Sequence, residues 1–95
     1  MNPELLRTFL AVSRHANFTR AAEERLLSQP AASRQIRQLE GELGVPLFER
    51  LGKAVHLTDA GRRLVPLAED LLGQMERVVE AIRSYGDPQH GRMSF

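Results

Sequence analysis

The sequence predicts a mostly α-helical chain in which three short helices and a small β-hairpin form a core and one long helix follows. Three observations carry that prediction. Apolar residues recur at three- and four-residue spacing in separate stretches, each opened by a residue suited to cap a helix: Asn2, Asn17, Ser28 and Thr58. Gly52 and Lys53 mark a turn between two very short runs of extended character. From Leu64 onward, Leu67, Leu71, Met75, Val78, Ile82 and Tyr85 follow at intervals of three, four, four, three, four and three, the rhythm of a coiled-coil seam and not of a globular stripe.

Helix one is expected over residues 3–15. Asn2 caps it, Pro3 and Glu4 fill its first turn, and Leu5, Phe9, Val12 and Ala16 recur at helical spacing. A second apolar edge, Leu6, Leu10 and Ser13, predicts that this helix touches two partners. Asn17, or alternatively Thr19, caps a short second helix that carries Phe18, Ala21 and Ala22 and ends near Leu27. Its alanines allow another helix to pack closely.

Ser28 caps the third helix, residues 29–43, with Gln29 and Pro30 in the first turn, where a missing amide hydrogen does no harm. Gly44 and Pro46 stop it. Ala32, Ile36, Leu39 and Leu43 form the expected buried stripe. At about 100° per residue the opposite side carries Pro30, Arg34, Arg37 and Gly41, flanked by Ser33 and Gln38. That outward face is basic, with no acid before Glu40.

Leu47 and Phe48 precede the hairpin, whose strands are expected around Glu49–Leu51 and Val55–Leu57 with a basic tip. Thr58 then caps the long helix, and Asp59 in its first turn complements the helix dipole. Pro66 lies in the third turn, where a bend or one lost hydrogen bond is expected instead of a break. The domain boundaries follow: a unit of three helices and a hairpin over 1–58, a linker and dimerisation helix over 59–85, and a hinge with the start of a further domain over 86–95. Gly86–Gly91 reads as a linker, and RMSF at the end as the start of a strand, so a longer protein is expected.

Composition bounds the chemistry. Ninety-five residues make one domain with a single modest core, and 42% hydrophobic with 26% charged residues is ordinary for a globular chain. No apolar run approaches the roughly 20 residues of a membrane helix, and the N-terminus does not resemble a secretory signal, so the expected location is the cytoplasm and no membrane partner is expected. With no cysteine, and with His15, His56 and His90 not at ligand-like spacing, no metal site is expected. The net charge of +1 conceals an asymmetry: Arg14 to Arg63 holds nine Arg or Lys against six acids, whereas Leu64 to Gly91 holds two against five. The first segment is the one suited to approach a polyanion.

Two helices meeting near Leu27–Ser28, the second basic on its outward face and followed by a hairpin, meet the requirements of a winged helix-turn-helix. A helix that enters the major groove needs free first turns, small residues and hydrogen-bonding side chains, which Ser28, Gln29, Pro30, Ser33, Arg34 and Arg37 supply. The same residues also fit an ordinary solvated face, in which case the seam of the long helix would make the chain a protein-only dimerisation module. An enzyme is disfavoured: there is no nucleophile paired with a base, no paired carboxylates in a plausible pocket and no glycine-rich phosphate loop.

Four linked blocks weigh on that choice: Phe18–Ala22 (FTRAA), Ser28–Glu40 (SQPAASRQIRQLE), Leu43–Arg50 (LGVPLFER) and Leu57–Gly61 (LTDAG). Together, at these separations, they resemble the DNA-binding region of the LysR-type transcriptional regulators over residues 3–90. The resemblance implies that Gln29, Pro30, Ser33 and Arg34 reach into the major groove, that Thr19, Ser28 and Arg37 hold the DNA backbone, and that the wing contributes Arg50 and Lys53 near the minor groove. Thr58 is a helix cap first and a phosphate neighbour second, and Arg50 could equally pair with Glu49. The likeness further implies a promoter-binding homodimer, or a higher oligomer at full length, on an interrupted palindrome. Leu64, Leu67, Leu71, Met75, Val78 and Ile82 would form its seam, with Leu6 and Leu10 flanking. No cofactor is implied in this segment; a small-molecule effector would bind in a C-terminal domain. The sequence departs from the family at position 25, where Arg25 stands for the usual leucine. Either its stem lies along the core or Leu26 rotates inward in its place, and the second is the expectation.

Overall fold

The computed structural model describes residues 1–51 and 54–86. Four helices and one hairpin follow in the order α1 (Pro3–His15), α2 (Phe18–Glu24), α3 (Gln29–Leu43), β1 (Phe48–Leu51), β2 (Ala54–Leu57) and α4 (Asp59–Gly86). Each helix start is capped as its sequence requires. The Asn2 side chain accepts from Glu4 N–H at 2.8 Å and Ser28 Oγ from Ala31 N–H at 3.2 Å. Asn17, and not Thr19, caps α2, accepting from Arg20 N–H at 2.9 Å. Thr58 Oγ1 accepts from Gly61 N–H at 3.1 Å and donates to the Pro46 carbonyl at 2.7 Å, which ties the start of α4 to the segment before β1.

The core lies where α1, α2 and α3 cross. Phe9, Val12, Ala21, Ala32, Ile36 and Leu39 are buried there, and the exposure of Ala21 and Ala32 is nil, so α2 and α3 approach without a large side chain between them. The hairpin seals one side. Phe48 packs its ring against Phe9 (centroids 5.4 Å apart) and Phe18 (6.1 Å). α4 seats on the same core through Gly61, Ala68 and Leu72, with Leu64 and Val65 packed beside them, and continues unbroken through Pro66.

β1 and β2 pair antiparallel with Phe48 opposite Leu57, Glu49 opposite His56, Arg50 opposite Val55 and Leu51 opposite Ala54. Because side chains alternate and cross-strand partners share a face, Phe48, Arg50, Val55 and Leu57 look toward the core while Glu49 and His56 look outward. Each strand begins one residue earlier than the residue pattern suggested.

Several expectations are corrected. Leu6 and Leu10 are only 3% and 7% exposed, covered within the protomer, so α1 has no spare apolar edge. Leu64 is likewise partly buried against the protomer's own core, and the exposed stripe of α4 begins at Leu67. Leu43 is 38% exposed at the end of α3, one turn beyond the last core contact. α2 ends at Glu24, because Leu26 adopts φ +57° and turns the chain. Leu26 does not rotate inward: it is 92% exposed. Arg25 takes the interior position instead, paired with Glu4, with its Nε 3.4 Å from Thr8 Oγ1. Thr8, fully buried, donates to Gln35 Oε1 at 2.6 Å, so a polar chain from Glu4 through Arg25 and Thr8 to Gln35 links α1, α2 and α3. Lys53 and most of the 86–95 hinge lie outside the described residues.

Candidate nucleic-acid interface

One face of the N-terminal half of α3 is exposed while Ala32 and Ser33 on the other side are buried. Ser28, Gln29 and Pro30 in its cap and first turn are exposed, as are Arg34 and Arg37 one and two turns on. The charge pairing is selective. Arg7 and Arg25 pair with Glu4, Arg14 and His15 with Glu24, and Arg62 with Asp59. Arg34 and Arg37 make no ion pair among the described residues, so their guanidinium donors are available to an external acceptor.

Two of these acids, Glu4 and Glu24, are lowered toward their ionised form. Burial acts to raise the Glu4 carboxyl, but the Arg25 charge and hydrogen bond, together with those of Arg7, outweigh it and leave Glu4 below its ordinary value. Glu24 is lowered chiefly by its hydrogen bond with His15, at 2.8 Å, and by Arg14, against a smaller opposing effect of burial. These pairs lie at the α1–α2 side of the molecule and brace the helices behind the α3 surface.

Ser33 is not on that open surface. Its exposure is 7%, and its hydroxyl accepts from Arg50 Nη2 at 3.0 Å and, over a longer 3.5 Å, from Gln29 Nε2. Arg50 makes no pair with Glu49, which looks to the other side of the wing; its guanidinium carbon instead lies 4.4 Å from the centroid of the Phe18 ring. Phe18, Ser33, Ile36, Arg37, Glu40, Phe48 and Arg50 together line the cleft between β1 and α3. At the other end of β1, Glu40 Oε2 accepts from Leu47 N–H at 2.7 Å and Phe48 N–H at 3.3 Å. β1 therefore runs back along α3 over two helical turns, fixed at Glu40 and again at Ser33. Thr19 is exposed in the first turn of α2, while Thr58 is half-buried and engaged in capping.

This arrangement of capped helix, turn, exposed second helix and wing matches known proteins. A family model described as "Bacterial regulatory helix-turn-helix protein, lysR family" matches residues 3–62. The chain belongs to the LysR family. It is 54% identical over 81 residues to the RuBisCO operon transcriptional regulator of Allochromatium vinosum, covering 82% of this chain and 27% of that protein. It is 45% identical over 94 residues to the probable cat1 operon transcriptional activator of Acinetobacter lwoffii, covering 99% of this chain and 31% of that one. This LysR-family chain thus spans less than a third of the length of these curated relatives. Among solved structures, the CbnR DBD–DNA complex superposes with a TM-score of 0.87 at 33% identity over 92% of this chain and 100% of that one. Vibrio fischeri DarR in complex with DNA gives 0.87 at 35% identity over 90% of this chain and 30% of that one.

Residue patterns alone missed three members of the LysR-family surface: Glu40, which anchors the wing; Phe18, the platform under Arg50; and Gln35, which braces α3 against Thr8. Only the first had a signal of its own: Glu40 lies seven residues after Ser33, two turns along one face of α3.

Proposed function

We propose that this chain is the DNA-binding part of a transcriptional regulator that recognises specific double-stranded promoter sequences. The first turns of α3 enter the major groove and the wing lies near the minor groove. Gln29 and Arg34 read base edges, glutamine suiting adenine and arginine guanine, while Thr19, Ser28, Arg37, Arg50, Lys53 and Thr58 serve the backbone and Pro30 lets the helix approach closely. The observation that carries this reading is the exposed Gln29, Arg34 and Arg37 along the first turns of a capped helix, with neither arginine held by an acid among the described residues. The DNA complexes of CbnR and DarR support it.

A symmetric dimer completes the proposal. Leu67, Leu71, Met75, Val78 and Ile82 are between 42% and 66% exposed along α4, an unpaired apolar stripe of the kind two copies cover mutually. The pair would present two α3 helices to half-sites about one DNA turn apart, roughly 34–36 Å, on an interrupted palindrome, with a small-molecule effector bound outside these residues. The test is titration onto duplex DNA at several salt concentrations. Affinity should fall steeply with salt; Arg34→Ala should relax sequence choice, whereas Lys53→Ala should weaken all sequences alike. Absence of salt-dependent binding at low salt refutes the proposal in favour of a protein-only dimerisation module.

A further inference from the structure

We infer that Ser33 acts on DNA through Arg50: the buried Ser33 hydroxyl and the Phe18 ring are positioning groups that fix the wing arginine, so that the wing and α3 bind as one coupled unit. This rests on the DNA-binding reading above and departs from the expectation that Ser33 itself reaches into the groove.

The geometry supports each step. Strand alternation places Arg50 on the same face of β1 as Phe48, where its side chain, still exposed, comes within reach of α3 and α2. There Ser33 Oγ accepts one guanidinium hydrogen at 3.0 Å, and the Phe18 ring lies against the guanidinium at 4.4 Å. A guanidinium carries five donors, so four are left for phosphate or base-edge acceptors. Holding an arginine by stacking and one hydrogen bond removes rotamer freedom before DNA arrives, and less is lost on binding. Glu40 restrains the other end of β1, so the wing cannot relax away if the DNA pulls on Arg50. Gln29 donates to the same Ser33 hydroxyl, which makes one buried oxygen the junction between a base reader and the wing. At 7% exposure that oxygen is poorly placed to meet DNA itself.

The test compares wild type, Ser33→Ala, Arg50→Ala and the double variant on a duplex that the wild-type protein enriches from random DNA. Ser33→Ala should weaken binding by about three- to tenfold in the wild-type background and by less than about twofold once Arg50 is alanine, the signature of two groups acting as one. Ser33→Ala should also lower the dependence of affinity on salt, although it removes no charge, because it releases a phosphate-directed cation. Equal effects of Ser33→Ala in both backgrounds, or an unchanged salt slope, overturn the inference and assign Ser33 a direct contact. A measurement on the free wild-type protein stands apart from any variant's folding: the Arg50 δ protons should be shifted upfield by the Phe18 ring current, and unshifted δ protons overturn the inference. If wild type enriches no duplex at all, it is the DNA-binding reading that fails.

Discussion

Leu26 closes α2 in a conformation its side chain opposes, and replacing it should stabilise the protein. Leu26 N–H bonds the Glu23 carbonyl at 3.1 Å and Leu27 N–H the Ala22 carbonyl at 2.8 Å, the two bonds of a Schellman closure with Leu26 at the left-handed position. A residue with a Cβ loses about 1–2 kcal/mol in that conformation. The leucine side chain, 92% exposed, recovers almost none of this by burial. Glycine removes the clash but forfeits about 0.5–1 kcal/mol through the greater freedom of the unfolded chain, leaving a net gain of roughly 0.5–1 kcal/mol. For a domain of this size a gain of 1 kcal/mol raises the melting temperature by about 4–8 °C. Alanine is the control: it keeps the Cβ and discards the rest, so Leu26→Ala should fall within about 0.5 kcal/mol of wild type. Urea unfolding at fixed protein concentration separates the two, since association would make stability concentration-dependent. If Leu26→Gly is no more stable than Leu26→Ala, the backbone strain is not what limits α2.

Gly61 is the opposite case, since a Cβ there would lie 2.3 Å from the Leu47 carbonyl oxygen and 2.8 Å from Leu57 Cδ2. Gly61→Ala should cost about 1–3 kcal/mol by urea unfolding, whereas Gly41→Ala, on an open stretch of α3, should gain about 0.5–1 kcal/mol. The lowered Glu4 and Glu24 carboxyls contribute stability that is fully present above the ordinary value of 4.5 and is lost as pH falls through their folded values. The melting temperature should therefore drop on acidification below that value, and the Glu4→Gln, Glu24→Gln double variant should show a shallower drop. Val78→Glu with Ile82→Glu puts two acids on the exposed α4 stripe and should weaken self-association at least about a hundredfold by sedimentation, leaving the helical signal intact; an unchanged dimer would place the interface elsewhere.

Much of this molecule was legible in its residues because the signals were local. Caps, turn glycines and the three-four spacing of apolar side chains depend on neighbours within one or two helical turns, and Asn2, Ser28, Gly44 and Thr58 all serve as their types suggest. The order of elements and the exposed first turn of α3 follow from them. What local reading could not supply was the choice between two partners for one face. Leu6 and Leu10 were apolar and spaced for burial, but whether they meet a second copy or the chain's own α4 depends on where Gly61 lets α4 seat against Leu47, a contact between residues fourteen apart.

Positions 25 and 26 show the same limit more sharply. Counting apolar residues favours Leu26 as the replacement for a missing core leucine, because hydrophobicity ranks it above arginine. Position, not residue type, decides: the residue after the cap of a Schellman closure is left-handed, and here that backbone turn carries the side chain out to solvent. Arg25, one residue earlier, keeps helical backbone, φ −86° and ψ 0°, and so points where the core leucine would have pointed. Its aliphatic stem can lie against the core because its guanidinium has acceptors at the rim, Glu4 and Thr8. The same logic governs Arg50, whose face follows from strand alternation and whose exposed guanidinium is oriented by Phe18 and Ser33. In both cases backbone geometry sets where a cation goes, and the partners waiting there determine whether it braces the fold or is held ready for a ligand.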